Sequence, residues 1–337
     1  MADLVYGFAS SHGPLLSMTP DTWELRSNVD RVRMHQFRGS TLSFDEMLAL
    51  RRSSYLIRQN EMDSRIADYE RSQRALDVLA DRFAEVKPDV LVLVGDDQEE
   101  WFDASNQPAI SVLCGESVVN RRYDASEYLE ATGMDLAARG WRPSQDEIYP
   151  IERDLAHHII AQAIEDEFDV AVSARSPMDD KGPLCITHSV GFIVRRIMRD
   201  RPIPIVPILQ NTFWAPNRPK PGRSVAFGKS VSRAIQSWGG GNAGKRVAIC
   251  ASGGLSHYVV DEEWDRRMLD AMLTADEQAM RNEPDEMFRS GTSETKNWFA
   301  VACAAAYAGL KMTVVDYVPC YRTEAGTGSG MGFATWE

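Results

Sequence analysis

Short uninterrupted apolar runs alternate along the chain with longer stretches whose apolar residues recur every three or four positions. The runs Leu4–Ala9, Val90–Val94, Ile110–Leu113, Val170–Val172, Ile203–Leu209, Val247–Ala251 and Met312–Val318 lack polar alternation, which predicts strands buried on both faces. Between them, Glu61–Val86 carries Met62, Ile66, Tyr69, Leu76, Leu79 and Phe83 at helical spacing. Glu152–Asp166, Val190–Asp200, Arg223–Trp238, Asp261–Met280 and Glu294–Ala308 also read as helices, the last with Thr292 or Ser293 as N-cap. This alternation predicts an α/β fold: one domain over residues 1–337, with a central, mostly parallel or mixed sheet and helices on both faces. Trp214–Gly222 and Gly239–Gly244 read as loops. Thr323–Gly332 is glycine-rich, so residues 323–337 are expected to form a tail or a lid over a pocket.

Three of the apolar runs end in polar clusters. Leu4–Ala9 leads into Ser10, Ser11 and His12; Val90–Val94 into Gly95, Asp96, Asp97, Gln98 and Glu99; and Val247–Ala251 into Ser252, Gly253, Gly254, Leu255, Ser256 and His257. Ligands of open α/β sheets bind beyond the strand carboxyl ends, so these clusters can converge on one pocket. A lone histidine after a strand is commonly a structural hydrogen-bonder, and the acidic run Asp96–Glu100 can be a solvated loop. His188, in ITHSVGF, opens a helical pattern and is either a helix-start residue or a member of the pocket. Ser256 beside His257 does not signal a hydrolase, because no GxSxG elbow occurs; it remains a candidate substrate contact. Trp101, Phe102, Phe213, Trp214 and Trp298 flank these segments, and Arg322 can be a surface residue or pair with a substrate carboxylate.

Composition narrows the partners. The net charge of −12 opposes non-specific nucleic-acid binding and adsorption to anionic membranes. The apolar runs are too short to span a bilayer. The five cysteines, Cys114, Cys185, Cys250, Cys303 and Cys320, are odd in number and widely spaced without a CxxC pair, as expected of reduced thiols in a cytoplasmic protein. The N-terminus has no basic n-region of a signal peptide.

SSHGP near the N-terminus, a strand followed by GDDQ, GGLSH after a late strand and SGTSETKNW opening a helix together resemble the class III extradiol ring-cleavage dioxygenases. The likeness is to the catalytic β subunits of the protocatechuate 4,5-dioxygenase type and runs from about Val5 to the C-terminal segment; Thr19–Asp68 looks longer than its counterpart. The resemblance implies Fe(II) held by two histidines and a carboxylate, a catechol-like aromatic acid, O2 as co-substrate, and a homo-oligomer. By that resemblance His12 matches the first metal ligand, His257 the acid–base histidine, and His188 falls near a pocket histidine.

Two metal positions depart from the pattern. The second metal histidine should follow the strand-end aspartate, where this chain has Gln98. Aligning SGTSETKNW puts Asn297 at the ligand carboxylate, with Glu294 one helical turn earlier. His, Gln and Asn together carry no negative charge and bind Fe(II) poorly. Three readings stay open. Glu294 supplies the carboxylate and Asp97 replaces the histidine; or metal binds only together with a chelating substrate; or the pocket holds no metal. In the last case the histidines act as acids and bases, with Gln98 and Asn297 binding an oxyanion. Such a site suits decarboxylation, tautomerisation, hydration or carbon–carbon hydrolysis of a phenolic or keto acid. A non-catalytic scaffold is a further alternative, and it would need no buried site joining His12, Gln98, His257 and Asn297.

Overall fold

The computed structural model describes residues 1–337. Four parallel strands, Asp3–Ser10, Arg246–Ser252, Val90–Asp96 and Ile205–Gln210, lie side by side in that order. Ile110–Leu113 pairs antiparallel with Ile205–Gln210, and Ala171–Ser173 follows it. On the other side Thr327–Trp336 pairs antiparallel with Asp3–Ser10, Met312–Tyr321 and the short strand His257–Val259, completing nine strands. The sheet is mixed with a parallel centre, as the apolar runs predict.

Those runs are continuous because the sheet is covered on both sides. Val90, Val92 and Val94 point into one core, with Val247, Ile249, Ala251 and the apolar faces of helices Arg153–Glu165, Pro221–Ser237 and Thr295–Tyr307. Leu91 and Leu93 point into the opposite core, with Ala248, Cys250, Tyr6, Phe8 and the inner faces of helices Met62–Val86 and His188–Arg196. Successive residues of a strand face opposite ways, so an apolar residue is needed at every position.

Three expectations change. Asp261–Met280 is two helices, Glu262–Leu273 and Glu277–Asn282. Ala275 between them has φ +53°, and Asp276 accepts the Ala279 N–H to start the second. The glycine-rich C-terminal segment is neither tail nor lid: Thr327–Trp336 is buried along its whole length as a strand of the main sheet, joined to Met312–Tyr321 by a tight turn at Thr323–Gly326. Its glycines serve close packing. A Cβ on Gly332 would stand 2.9 Å from Trp298 Cη2 and 3.0 Å from Leu255 Cδ1. The Thr292 and Ser293 N-cap is displaced as well. Gly291–Glu294 is a 3-10 turn opened by Ser290, and the helix proper starts at Thr295.

Residues 14–60 add helices Glu24–Val32, Phe44–Arg51 and Ser54–Gln59 and a small hairpin, His35–Phe37 with Ser40–Leu42. They are fastened to the C-terminal strands by a buried bidentate pair, Arg322 with Asp30, at 2.8 and 3.1 Å. Arg322 is therefore neither a surface residue nor free for a substrate. No helix is long and apolar enough to cross a membrane.

Candidate active site

The register of the parallel strands brings their carboxyl ends level: Ser10 lies beside Ser252, and Gln210 beside Asp96. His12 follows the first strand, Asp96 ends another, and Gly253–His257 follows a third. The 3-10 turn Gly291–Glu294 and the start of helix His188–Arg196 close in from the two faces.

His12 is 4% exposed. Its Nδ1 lies 2.9 Å from Ser252 Oγ, and that hydroxyl donates to the Ser189 carbonyl at 2.6 Å. The hydroxyl therefore accepts from His12 Nδ1–H, which turns Nε2 toward the site. Nε2 lies 3.3 Å from Glu294 Oε2 and 3.1 Å from His188 Nε2. His188 in turn donates from Nδ1 to Glu100 Oε2 at 2.7 Å and from its backbone N–H to Glu100 Oε1 at 2.8 Å. The edge of Trp141 packs on the His188 ring, and Phe192 on that of His12.

Glu294 links the histidines. Its Oε2 accepts the Gly254 N–H at 2.8 Å, and its Oε1 lies 3.2 Å from His257 Nε2. His257 Nδ1 is 3.0 Å from the Leu255 carbonyl. Both ring nitrogens thus face acceptors, the pattern of a doubly protonated imidazolium. The ring lies flat against Gly291, where any Cβ would overlap it.

The charges are strongly coupled. Burial opposes ionisation of Glu294, yet His257 and His12 hold its carboxyl well below the usual range. Burial and the charge of Glu294 push Asp96 up to about 6, against the pull of His12 and His188. Burial would lower His188, but Glu100 overrides it by charge and hydrogen bond, and the imidazole is raised to about 10. His257 is raised too, with Glu294 outweighing burial.

The donor set fits a divalent metal. One ring nitrogen each from His12 and His188 and one carboxylate oxygen of Asp96 lie within 4.8 Å of one another, and Glu294 adds a second carboxylate beside His12. Two imidazoles with carboxylate oxygens suit Fe(II) and its first-row neighbours.

His12, His188, His257 and Glu294 therefore gather as the sequence suggests, while the other candidates are engaged elsewhere. Gln98 donates to Asp96 Oδ2 at 3.0 Å. Asn297 is fully buried; its Oδ1 accepts from Gln210 Nε2 at 2.9 Å and its Nδ2 donates to the Ser252 carbonyl at 2.9 Å, so it ties strand ends together. Glu294, one turn earlier, faces the histidines. Asp97 turns away and accepts the Trp101 and Phe102 N–H groups at 2.8 and 3.2 Å; burial and Glu100 raise its carboxyl to about 7. Ser256 points to Asp265, which takes its hydroxyl at 2.6 Å. Trp298 donates to the Gly253 carbonyl and Trp101 to that of Cys185, both in packing roles. Asp96 and Glu100 are the residues that a solvated-loop reading of the acidic run misses. The available signal is that four carboxylates follow a buried strand with no lysine or arginine among them.

A family model described as the catalytic LigB subunit of aromatic ring-opening dioxygenase matches residues 54–328.

Proposed function

Since the chain belongs to the LigB family of aromatic ring-opening dioxygenase catalytic subunits, we propose that it is a class III extradiol enzyme that cleaves a catechol-like aromatic acid with O2. The observation that carries this reading is Glu294. One buried carboxylate touches both His12, at the family's first ligand position, and His257, at its acid–base position.

Iron bound here would supply open coordination positions at which a catechol and O2 meet. His12 together with the carboxylates of Glu294 and Asp96 would hold it. His257 holds a proton at Nε2 and is placed to exchange it with a substrate hydroxyl; positioned acid–base groups of this kind contribute roughly 10²–10⁴-fold in rate. The burial of His12, Asp96 and Glu294 keeps water from competing for that proton. An acidic substrate is favoured by Arg33, whose guanidinium lies 3.9 Å from the Tyr258 ring centroid, next to His257, and carries no ion pair. Arg26, buried close by, leaves its Nε without a partner.

A second reading, metal-independent acid–base chemistry, is favoured by one observation. The His12–His188 contact at 3.1 Å lets one imidazole pass a proton to the other, with Glu100 favouring the proton on His188.

The test is iron content and O2 uptake of anaerobically purified protein offered protocatechuate, gallate and catechol. The dioxygenase reading expects iron-dependent O2 uptake with ring-opened product. Turnover without iron or O2 would replace it by the second reading. His257→Ala should lower kcat by about 10²-fold or more with iron retained; full activity in that variant would remove His257 from the acid–base role.

A further inference from the structure

We propose that the second imidazole of the metal centre is His188, delivered from a helix start, and that Glu100 is its positioning residue. This rests on the family reading for the presence of a metal and on the geometry for which residues hold it. The resemblance places the second histidine directly after the strand-end aspartate, where Gln98 stands. Its amide nitrogen is spent on Asp96 Oδ2, and a neutral amide is a poor substitute for imidazole.

His188 fills the gap from another direction. Ser189, the next residue, is fastened to the strand end twice: its hydroxyl donates to the Asp96 carbonyl at 2.8 Å and accepts the Asp96 N–H at 3.3 Å. Its own carbonyl accepts from Ser252, the residue that orients His12. The helix start is thereby pinned against both the carboxylate and the first imidazole. Glu100 then grips His188 at two points, ring Nδ1 and backbone N–H. A carboxylate on the remote nitrogen is the usual outer partner of a metal-bound histidine; it fixes the tautomer and aims the other nitrogen.

The two tautomers converge. His12 gives Nδ1–H to Ser252 and His188 gives Nδ1–H to Glu100, so both Nε2 atoms face one gap 3.1 Å across, with Asp96 at its edge. Two Nε2 atoms at that distance need a proton between them or a cation that both can bind. Three carboxylates, Asp96, Glu100 and Glu294, surround the pair with no lysine or arginine bonded to them. A divalent metal, bound by His12, His188 and Asp96 with Glu294 beside them, meets both demands at once.

The experiment is anaerobic titration of metal-free protein with Fe(II) alone and with Co(II) alone, reading affinity and the Co(II) absorption spectrum. Wild-type protein should bind one metal stoichiometrically. His188→Ala should weaken binding by more than about 100-fold, and Glu100→Gln, which keeps the ring, by about 10–100-fold with an altered Co(II) spectrum. Gln98→Ala should leave affinity nearly unchanged. The proposal is overturned if wild type binds no metal, if Gln98→Ala loses binding while His188→Ala keeps it, or if Glu100→Gln leaves affinity and spectrum as they were. Should His188→Ala fail to fold, the Glu100→Gln result decides. Metal held through His188 without O2 uptake on any catechol would sink the ring-opening reading and leave this one standing. Ring opening at full metal content in His188→Ala would do the reverse.

Discussion

Asp68 shows how one buried carboxylate writes a pH dependence into the whole chain. It is 7% exposed, its Oδ2 has no hydrogen-bond partner, and Arg71 stands 3.8 Å away. Burial, only partly offset by Arg71, raises its carboxyl from 3.8 to about 6. A raised carboxylate pKa means that the folded state binds the proton more tightly. The stabilisation is therefore full below the unfolded value and is lost as pH rises through about 6. Asp68→Asn should remove that loss, making the variant more stable at pH 7 by about 2 kcal/mol and flattening Tm against pH between 4 and 7. An unchanged profile in urea melts would assign the dependence to another group. Arg33 bears on the charge of the substrate. If it receives the substrate carboxylate, Arg33→Ala should raise KM for protocatechuate by about tenfold, the worth of one exposed charge-assisted contact, and leave KM for catechol unaltered. Equal effects on both substrates would place Arg33 in packing against Tyr258 instead.

At the level of elements, the C-terminal strand carries the main lesson. Residues 323–337 read as a glycine-rich tail or lid because glycine has low strand propensity and no side chain to make a pattern. In the fold those glycines are what the site's support requires, since Leu255 and Trp298 press on the strand where a Cβ would stand. Gly332→Ala should cost about 1–3 kcal/mol through overpacking, read by urea denaturation; a neutral result would mean that Trp298 has room to move. The split of Glu262–Leu273 from Glu277–Asn282 has the same origin. Helical spacing continues across Thr274–Asp276, and only the left-handed backbone at Ala275 breaks it.

Across the whole molecule, an ion pair between Asp30, which precedes the family match, and Arg322, which lies inside it, holds residues 14–60 on the C-terminal strands. Arg322 and Asp30 are 1% and 0% exposed, and the Arg322 carbonyl also accepts from Ser27 and Arg65. Asp30→Asn leaves the guanidinium buried without its counter-charge and should cost about 3–5 kcal/mol. Hydrogen exchange should then rise first in residues 24–52, with the parallel sheet protected. Exchange rising evenly over the chain would show that the segment and the sheet unfold as one unit.

Local pattern settled whatever depends on neighbours in sequence. Buried strands announce themselves by continuous apolar runs, so the α/β architecture and the arrival of His12 and His257 at strand ends were legible. The choice among the carboxylates was not. A regular helix would put Glu294 and Asn297, three residues apart, on nearly the same face. Glu294 instead ends a 3-10 turn and Asn297 lies in the helix that follows, and that change of helix type, which the spacing does not show, aims them differently. The union of His188 with His12, and of Glu100 with His188, joins residues 176 and 88 positions apart. Only tertiary packing brings such groups together, because the energy that pays for their burial comes from contacts that no local window contains.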